Sequence, residues 1–368
     1  MDREKICIIG LGLMGGSLAL GLKNKGFKGT IIGYDTNASY MEEAKVSGAI
    51  DLGARSIKEA VGDADIIVIA VSLLYYENIL REINKYGKKY AIITDVGSVK
   101  KYPLEIADRT IKREMDFIGG HPMSGSEKSG FKASNPFLYE NAYYFLTPTD
   151  ETPLYVMEKI KAMIEFLGAY PVIVSPGEHD RIVARISHLP HLIAVALVNL
   201  MGREDNLDYL TFIGGGFRDT TRIASGNTKM WKDICRANKD EIIKSIDSFQ
   251  DLLEGFKENL INNEEESIER SLEMGKSIRD EIPNQTKGYI SPLFEVVMSI
   301  EDKPGVLGEI TQMIGENGIN IKRIEILNAR QDEPGALRMG FDTDIDRYLS
   351  IELLKSKGMH EIYLREEI

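Results

Sequence analysis

Cysteine is scarce in this sequence, and basic residues are outnumbered by acidic ones. Its 368 residues include only Cys7 and Cys235, far apart and in no metal-ligand spacing, so we expect no metal site and two buried thiols in a reducing compartment. The formal net charge of −12 argues against nucleic acid as the main partner. No uninterrupted apolar run reaches about 18 residues, and no charged-then-apolar leader opens the chain. We therefore expect a cytoplasmic protein that binds neither a membrane nor nucleic acid.

The length and composition are those of a soluble protein with two or three domains. Charged residues make up 28% of the chain and hydrophobic residues 43%, which is ordinary for globular proteins. Because the overall balance is acidic, an anionic substrate must be attracted by local arginines rather than by the field of the whole protein.

A glycine motif near the N-terminus predicts a dinucleotide site. An apolar strand over 5–9 is followed at once by Gly10-Leu11-Gly12-Leu13-Met14-Gly15 and then by a helix over 17–25. This strand–turn–helix context is the one in which the motif cradles a pyrophosphate at a helix N-terminus. We expect all six motif residues to contact the cofactor.

Polar residues at the ends of the following strands refine this prediction. Asp35 ends the second predicted strand, 20 residues beyond the motif. A carboxylate there accepts hydrogen bonds from the ribose hydroxyls and repels a 2′-phosphate, which favours NAD over NADP; the alternative is an aspartate that caps the next helix. Val71, Ser72 and Ser98 lie at or just past the ends of two later strands, where we expect them to contact the cofactor.

The pattern of elements divides the chain into three domains. Strand–helix alternation over 1–174 predicts an α/β fold with a doubly wound, Rossmann-type sheet. Residues 175–284 show helical periodicity throughout, and by analogy of fold we expect them to bind substrate and form a homodimer. After a polar linker, 292–368 follow the order β-α-β-β-α-β of a ferredoxin-like domain.

A glycine-rich stretch over 119–130 carries three functional side chains, those of His121, Ser126 and Glu127. It follows a predicted strand over 115–118, so we expect a loop at the strand end, where open α/β sheets bind ligands. The imidazole can take up a proton near neutral pH. The alternative is a turn with an exposed histidine.

The helical region contributes two further groups of candidates. A proline near a helix start leaves His188 and His191 close together. Arg218 and Arg222 are four residues apart and share one helical face. Two guanidinium groups on one face suit a substrate with two carboxylates, whereas the alternative is a solvated basic face.

Together these segments resemble prephenate dehydrogenase of tyrosine biosynthesis, in the form with a C-terminal ACT domain, over essentially the whole length. The most specific segments are 121–130, 187–191 and 214–224. The resemblance implies NAD-dependent oxidative decarboxylation of prephenate to 4-hydroxyphenylpyruvate, with CO2 and NADH as further products. It implies His121 as the general base and Ser98 as a hydrogen-bond partner of the same substrate hydroxyl.

The resemblance also implies residues that bind or gate the substrate, and residues that bind a regulator. The substrate residues are Arg222, His191, His188, Ser126, Glu127 and Arg218. The ACT domain implies feedback inhibition by L-tyrosine, at a site formed by Asp302, Gly305, Val306, Leu307, Asn317 and Asn320, although inhibition within the active site stays open. No role follows for His179 or His360, which we expect at the surface, and we expect Trp231 in a core or interface.

Three other functions are compatible with the same fold. Arogenate dehydrogenase differs in the amino group of its substrate, and the sequence shows no clear acidic partner for an ammonium. A β-hydroxyacid dehydrogenase relies on a catalytic lysine in its helical domain, which does not fit the His121 stretch. An amino-acid-binding protein without activity predicts the loss of His121, Ser98 or Arg222, and all three are present.

Overall fold

A computed structural model describes residues 4–111, 114–125, 128–203, 211–282, 294–300, 303–327, 335–359 and 362–364. The chain forms two compact units, Met1–Glu281 and Ile282–Ile368. Ser126, Glu127, Asp302, His360 and the predicted linker lie outside the described residues.

The first unit is built on an eight-stranded sheet of order β3-β2-β1-β4-β5-β6-β7-β8. Its strands are β1 (Lys5–Ile9), β2 (Thr30–Tyr34), β3 (Leu52–Gly53), β4 (Ile66–Ile69), β5 (Ile92–Asp95), β6 (Asp116–Pro122), β7 (Tyr143–Thr147) and β8 (Tyr170–Ile173). Neighbouring strands are parallel except β6 and β7, which run antiparallel. The predicted doubly wound sheet is therefore confirmed, with one reversal beside β6.

Helices cover both faces of this sheet, because side chains that alternate along each strand enter two separate cores. Ile8 joins the core that includes α1 (Leu13–Asn24) and α6 (Leu154–Phe166). Its neighbours Cys7 and Ile9 join the opposite core. The remaining helices of this part are α2 (Ala38–Val46), α3 (Ile57–Val61), α4 (Tyr76–Tyr86) and α5 (Lys101–Thr110).

The region after β8 is helical throughout its described residues, as predicted. It contains α7 (Pro176–Val183), α8 (Leu189–Met201), α9 (Gly215–Thr221), α10 (Thr228–Ala237), α11 (Lys239–Ile261) and α12 (Glu265–Glu281). A π-helical turn joins α7 to α8, so Pro176–Met201 is one continuous helix. Within the described part of the chain, this is the one stretch long and apolar enough to cross a membrane by length and composition.

The second unit is a four-stranded antiparallel sheet of order β10-β11-β9-β12. Its elements are β9 (Phe294–Ile300), α13 (Val306–Glu316), β10 (Ile321–Leu327), β11 (Gly335–Phe341), α14 (Asp344–Ser356) and β12 (Ile362–Leu364). This chain order confirms the predicted ferredoxin-like domain.

Candidate active site

The glycine motif forms a turn that only glycine fits. Gly10 has a φ of +96°, and a Cβ placed on it would lie 2.4 Å from the carbonyl oxygen of Ala70. A Cβ on Gly15 would lie 1.9 Å from the carbonyl oxygen of Gly10. These two glycines therefore allow β1, β4 and α1 to approach closely.

The N-terminus of α1 is suited to hold a phosphate. Gly12 caps this helix without a side-chain hydrogen bond, and the first turn carries no acidic residue. A Cβ on Gly12 would meet nothing within 4 Å, so the backbone is open to approach. Free N–H groups and the positive end of the helix dipole at such a position favour a pyrophosphate.

Asp35 lies beside this turn and is not a helix cap. Its Oδ2 accepts a hydrogen bond of 2.7 Å from the Leu11 backbone N–H, and its Oδ1 accepts one from Asn37. Asn37, rather than Asp35, caps α2. Each carboxylate oxygen has a second lone pair, so Asp35 can still accept hydrogen bonds from ribose hydroxyls.

The other predicted cofactor residues lie at the ends of β4 and β5. A Cβ on Gly10 would lie 2.7 Å from Cγ1 of Val71, which places Val71 over the glycine turn. Ser72 donates a hydrogen bond to Asp233 of α10. Ser98 is half-buried in the turn between β5 and α5.

His121 is not in a loop, contrary to the sequence prediction. β6 continues through Pro122 because, beyond its pairing with β5, it pairs with β7, with His121 opposite Phe145. The side chain is 9% exposed. The candidate base is therefore held on a strand and is largely shielded from water.

A buried ion pair fixes the backbone next to His121. Asp95 accepts a hydrogen bond from the Gly120 N–H through Oδ1, and the ammonium of Lys100 donates both to Asp95 Oδ2 and to the carbonyl of Gly120. Lys100 and Asp95 are fully buried. Tyr76 also donates to Asp95 Oδ2, at 2.9 Å. The pairing of β6 with β5 ends at Ile118, and beyond it Asp95 and Lys100 hydrogen-bond the N–H and the carbonyl of Gly120 in place of a strand.

His179 is buried beside His121, so its predicted surface position is wrong. Nδ1 of His121 lies 2.8 Å from Nε2 of His179, and Nδ1 of His179 lies 2.8 Å from Oδ1 of Asp180. Asp180 in turn accepts hydrogen bonds from the backbone N–H groups of Lys100 and Lys101 at the start of α5. We call Asp180, His179 and His121 the imidazole chain.

Burial sets the charge of these imidazoles. It holds the pKa of His121 well below its usual range, and the nearby His179 and Lys100 lower it further. Burial also lowers the pKa of His179, although the hydrogen bond to Asp180 opposes that shift. Both shifts favour the neutral form of the rings at neutral pH.

The π-helical turn brings His188 to the same site. Pro190 lacks a backbone N–H and crowds the carbonyl four residues earlier, so the helix widens over Ala184–His188. His188 is 1% exposed, and its Nδ1 lies 3.2 Å from Nδ2 of Asn238, which also donates to the carbonyl of Asp180. Burial lowers the pKa of His188 to about 4.

His191 connects the buried histidines to the arginine segment, residues 214–224, which carries Arg218 and Arg222. Its ring stacks on Trp231 with centroids 3.5 Å apart and planes at 6°, and the backbone of Ile223 hydrogen-bonds it. Its Nδ1 is buried and has no hydrogen-bond partner among the described residues. Arg218 on α9 and Arg222 just after it are both exposed. Arg222 is therefore the chain neighbour of Ile223, whose backbone hydrogen-bonds His191.

Family models match most of the chain. The nucleotide-binding domain of prephenate dehydrogenase matches residues 18–173, its dimerization domain matches 175–274, and the ACT domain matches 294–347. A prephenate dehydrogenase of Bacillus subtilis is 35% identical, with 98% of each chain covered. The chain belongs to the prephenate dehydrogenase family. The predicted family and enzyme class are confirmed.

Solved structures of this family share the fold. The prephenate dehydrogenase of Aquifex aeolicus, in complex with hydroxyphenyl propionate and NAD+, has a TM-score of 0.72 and 34% identity, and covers 77% of this chain and 99% of its own. The arogenate dehydrogenase of Synechocystis has a TM-score of 0.68 and 30% identity, and covers 76% of this chain and 100% of its own.

Five predicted regulatory residues of the ACT domain are described. Gly305, with φ of +97°, precedes α13, whose first residues are Val306 and Leu307. Asn317 ends α13 and donates to the carbonyl of Met313. Asn320 borders a groove of about 330 Å³ between α13 and β10, also lined by Thr311, Gly315, Ile319 and residues 321–324.

The sequence prediction missed four buried polar residues of this family member. They are Lys100, His179, Asp180 and Asn238. A signal existed for two of them: His179 and Asp180 share the buried face of α7 with Val183, four residues after His179. A histidine and an acid on an apolar helix face indicate a polar partner inside the protein.

Proposed function

We propose that this protein catalyses the NAD-dependent oxidative decarboxylation of prephenate to 4-hydroxyphenylpyruvate. One observation supports this above all: the buried His121 has its Nδ1 engaged with His179, which leaves Nε2 as the nitrogen that can take the substrate's proton. The predicted cofactor, NAD, is confirmed by the nucleotide-binding family model and by the NAD+-bound relative. Gly10, Gly12 and Asp35 hold its pyrophosphate and ribose.

The proposed reaction needs a base and precise placement, but no metal. NAD, held at the glycine turn and Asp35, would supply the hydride acceptor for C4 of prephenate. His121 accepts the proton of the C4 hydroxyl as the carbonyl forms, and Ser98 orients that hydroxyl. Loss of CO2 makes the ring aromatic and returns electrons to the oxygen at C4, which regains a proton. His121 therefore ends the cycle neutral.

Carboxylate recognition falls to the arginine segment and to the neutral histidines. Arg222 binds a substrate carboxylate, and Arg218 on α9 is available for a gate with Glu127. The unpartnered Nδ1 of His191 gives the pyruvyl end a buried hydrogen-bonding atom. His188 and Ser126 complete this end.

Arogenate is the second candidate substrate, because the Synechocystis relative is an arogenate dehydrogenase of 30% identity. An ammonium on the substrate needs a nearby carboxylate. Within the described part of the site, Asp95 is fully buried and paired with the ammonium of Lys100. Asp180 is buried against His179, and Asp233 is hydrogen-bonded to Ser72. This favours prephenate.

The same proposal includes a cytoplasmic homodimer. Helices α11 and α12 expose a series of large apolar side chains that a monomer leaves in water: Leu252, Leu253, Leu260, Leu272, Met274 and Ile278. Exposed apolar patches of this extent mark interaction surfaces. They lie in or directly beside the residues matched by the dimerization-domain model.

L-tyrosine is the proposed inhibitor, bound at the ACT domain. Titration calorimetry of the full chain with L-tyrosine, and with L-leucine as the control, measures this binding. A heat of binding that disappears in Asn320→Ala supports the ACT site. Inhibition that competes with prephenate and is unchanged in that variant assigns tyrosine to the active site instead.

The substrate is tested by initial rates of NADH formation with prephenate and with arogenate, each with NAD and with NADP. We expect turnover with prephenate and NAD and release of one CO2 per NADH. Turnover of arogenate alone moves the assignment to the second candidate. No turnover of either substrate overturns the proposed function.

A further inference from the structure

Hydrogen-bond logic fixes the positions of the protons along the imidazole chain. The carboxylate of Asp180 only accepts hydrogen bonds, and it receives two from backbone N–H groups at the start of α5, at 2.7 and 3.0 Å. Nδ1 of His179, 2.8 Å from the same carboxylate, must therefore carry a proton.

The next two positions follow from the first. A neutral His179 with its proton on Nδ1 has a lone pair on Nε2, which lies 2.8 Å from Nδ1 of His121. Nδ1 of His121 must then be the donor, and Nε2 of His121 carries the free lone pair. The chain is thus aligned in one direction, from the reacting nitrogen of His121 to the carboxylate of Asp180.

The charges around the two rings differ. The ammonium of Lys100 donates to the carbonyl of Gly120, the residue directly before His121. The carboxylate of Asp95 is paired with the same ammonium. His179, by contrast, contacts the carboxylate of Asp180 directly. His188, whose pKa is lowered to about 4, lies near both rings, and Phe145 packs edge-on against His179 with centroids 5.2 Å apart. A positive charge is therefore better placed on His179 than on His121.

We propose that His179 and Asp180 are positioning residues, and that the proton His121 takes from the substrate comes to rest on His179. This rests on the proposed function. Burial lowers the pKa of both rings, but the carboxylate of Asp180 opposes that shift only at His179. This difference between the two pKa shifts agrees with the direct contact between His179 and Asp180.

The transfer balances without another reactant. The substrate O–H bond breaks and an N–H bond forms at Nε2 of His121, while the Nδ1–H bond of His121 breaks and an N–H bond forms at Nε2 of His179. His121 stays neutral, and His179 becomes an imidazolium beside Asp180. When CO2 has left, both protons move back and the oxygen at C4 is protonated.

The first test needs no substrate. Nitrogen-15 NMR of the histidine-labelled full chain, with His121→Asn and His179→Gln used for assignment, reports which ring nitrogen carries the proton. We expect both rings neutral with the proton on Nδ1, and on acidification we expect His179 to gain a proton before His121. A proton on Nε2 of His121, or earlier protonation of His121, overturns the proposal.

The second test uses turnover. His179→Gln keeps an acceptor for His121 but cannot take up a proton, and Asp180→Asn removes the charge. For each we expect kcat to fall by about 10²-fold with KM nearly unchanged. The dependence of kcat on the D2O fraction should change from curved, with two protons in motion, to linear, with one. The matched control is Glu178→Gln, an exposed position on the same helix, which should leave both quantities unchanged.

These outcomes separate two kinds of failure. A wild-type dependence that is already linear, or full activity in both variants, contradicts transfer to His179 even if prephenate is the substrate. Absence of prephenate turnover in the wild type contradicts the proposed function, whereas the NMR result still decides the arrangement of the protons.

Discussion

His188 makes the stability of this protein depend on pH in a way that can be calculated. Its pKa is about 4 in the folded chain, against an ordinary value of 6.5. The unfolded chain therefore binds a proton as the pH falls through 6.5, whereas the folded chain resists it until about pH 4. The contribution of His188 to stability is complete above pH 6.5 and is lost as the pH falls from there to 4.

The size of the loss follows from the same two values. A difference of 2.5 pKa units, from 6.5 to 4, corresponds to about 3–4 kcal/mol at about 1.4 kcal/mol per unit, and slightly less is lost by pH 4, where the folded chain is half protonated. His188→Asn removes the titration and keeps an acceptor for the amide of Asn238. Between pH 7.5 and pH 4 we expect the wild type to lose about 3 kcal/mol more unfolding free energy than this variant.

Urea unfolding at intervals between pH 8 and pH 4 measures this difference. Trp231 is the only tryptophan in the sequence and its ring lies 6.0 Å from that of His188, so its fluorescence reports on this site. The value at pH 8 isolates the packing change, because His188 is neutral there in both states. A gap between wild type and variant that stays constant over the whole pH range refutes the reasoning.

Three further predictions follow from other parts of the structure. Lys100→Met leaves the buried carboxylate of Asp95 without its cation and should cost about 3–5 kcal/mol in urea unfolding, most of which the double variant with Asp95→Asn should restore; an equally unstable double variant contradicts this. Asp35→Ala should raise KM for NAD about tenfold, since it removes a charged acceptor of ribose hydroxyls, and should reduce the enzyme's preference for NAD over NADP. Unchanged rates with both cofactors contradict this. Leu272→Glu should convert the dimer to a monomer in sedimentation experiments, whereas Glu269→Gln on the same helix should not; a variant that remains dimeric contradicts the proposed interface.

The fold was largely readable from local patterns. The glycine motif, the apolar strands and the linker composition depend on short stretches of sequence, and the structure confirms the sheet and the ferredoxin-like order. The strand that carries His121 was predicted to end too early, because its second half is defined by antiparallel pairing with β7. A glycine-rich stretch gives no local sign of such a partner.

The parts of the site that were missed depend on tertiary contacts. His179 and Asp180 lie between the recognised His121 and His188 in sequence. Their role is visible only once α7 packs beside β6 and the start of α5. Lys100 and Asp95 are five residues apart, and neither sequence position indicates that the pair would be fully buried. Such burial is exceptional for lysine, so sequence statistics predict a surface position instead.

The buried position of the base has a functional consequence. A His121 exposed in a loop would be protonated in part at neutral pH and would lose a lone pair. On a shielded strand, with burial and Lys100 both lowering its pKa, the ring is neutral and ready to accept a proton. Since the ring is neutral, we expect activity to fall as acidification protonates the imidazole chain.

The measurement that tests the central claim most directly is steady-state NADH formation from prephenate by the wild type and by His121→Asn. We predict that kcat falls by about 10²–10⁴-fold in the variant while KM changes little, because the base acts in the transition state and not in substrate binding. A variant that keeps most of its kcat would show that another group takes the proton. A wild type that forms no NADH from prephenate would contradict the account as a whole.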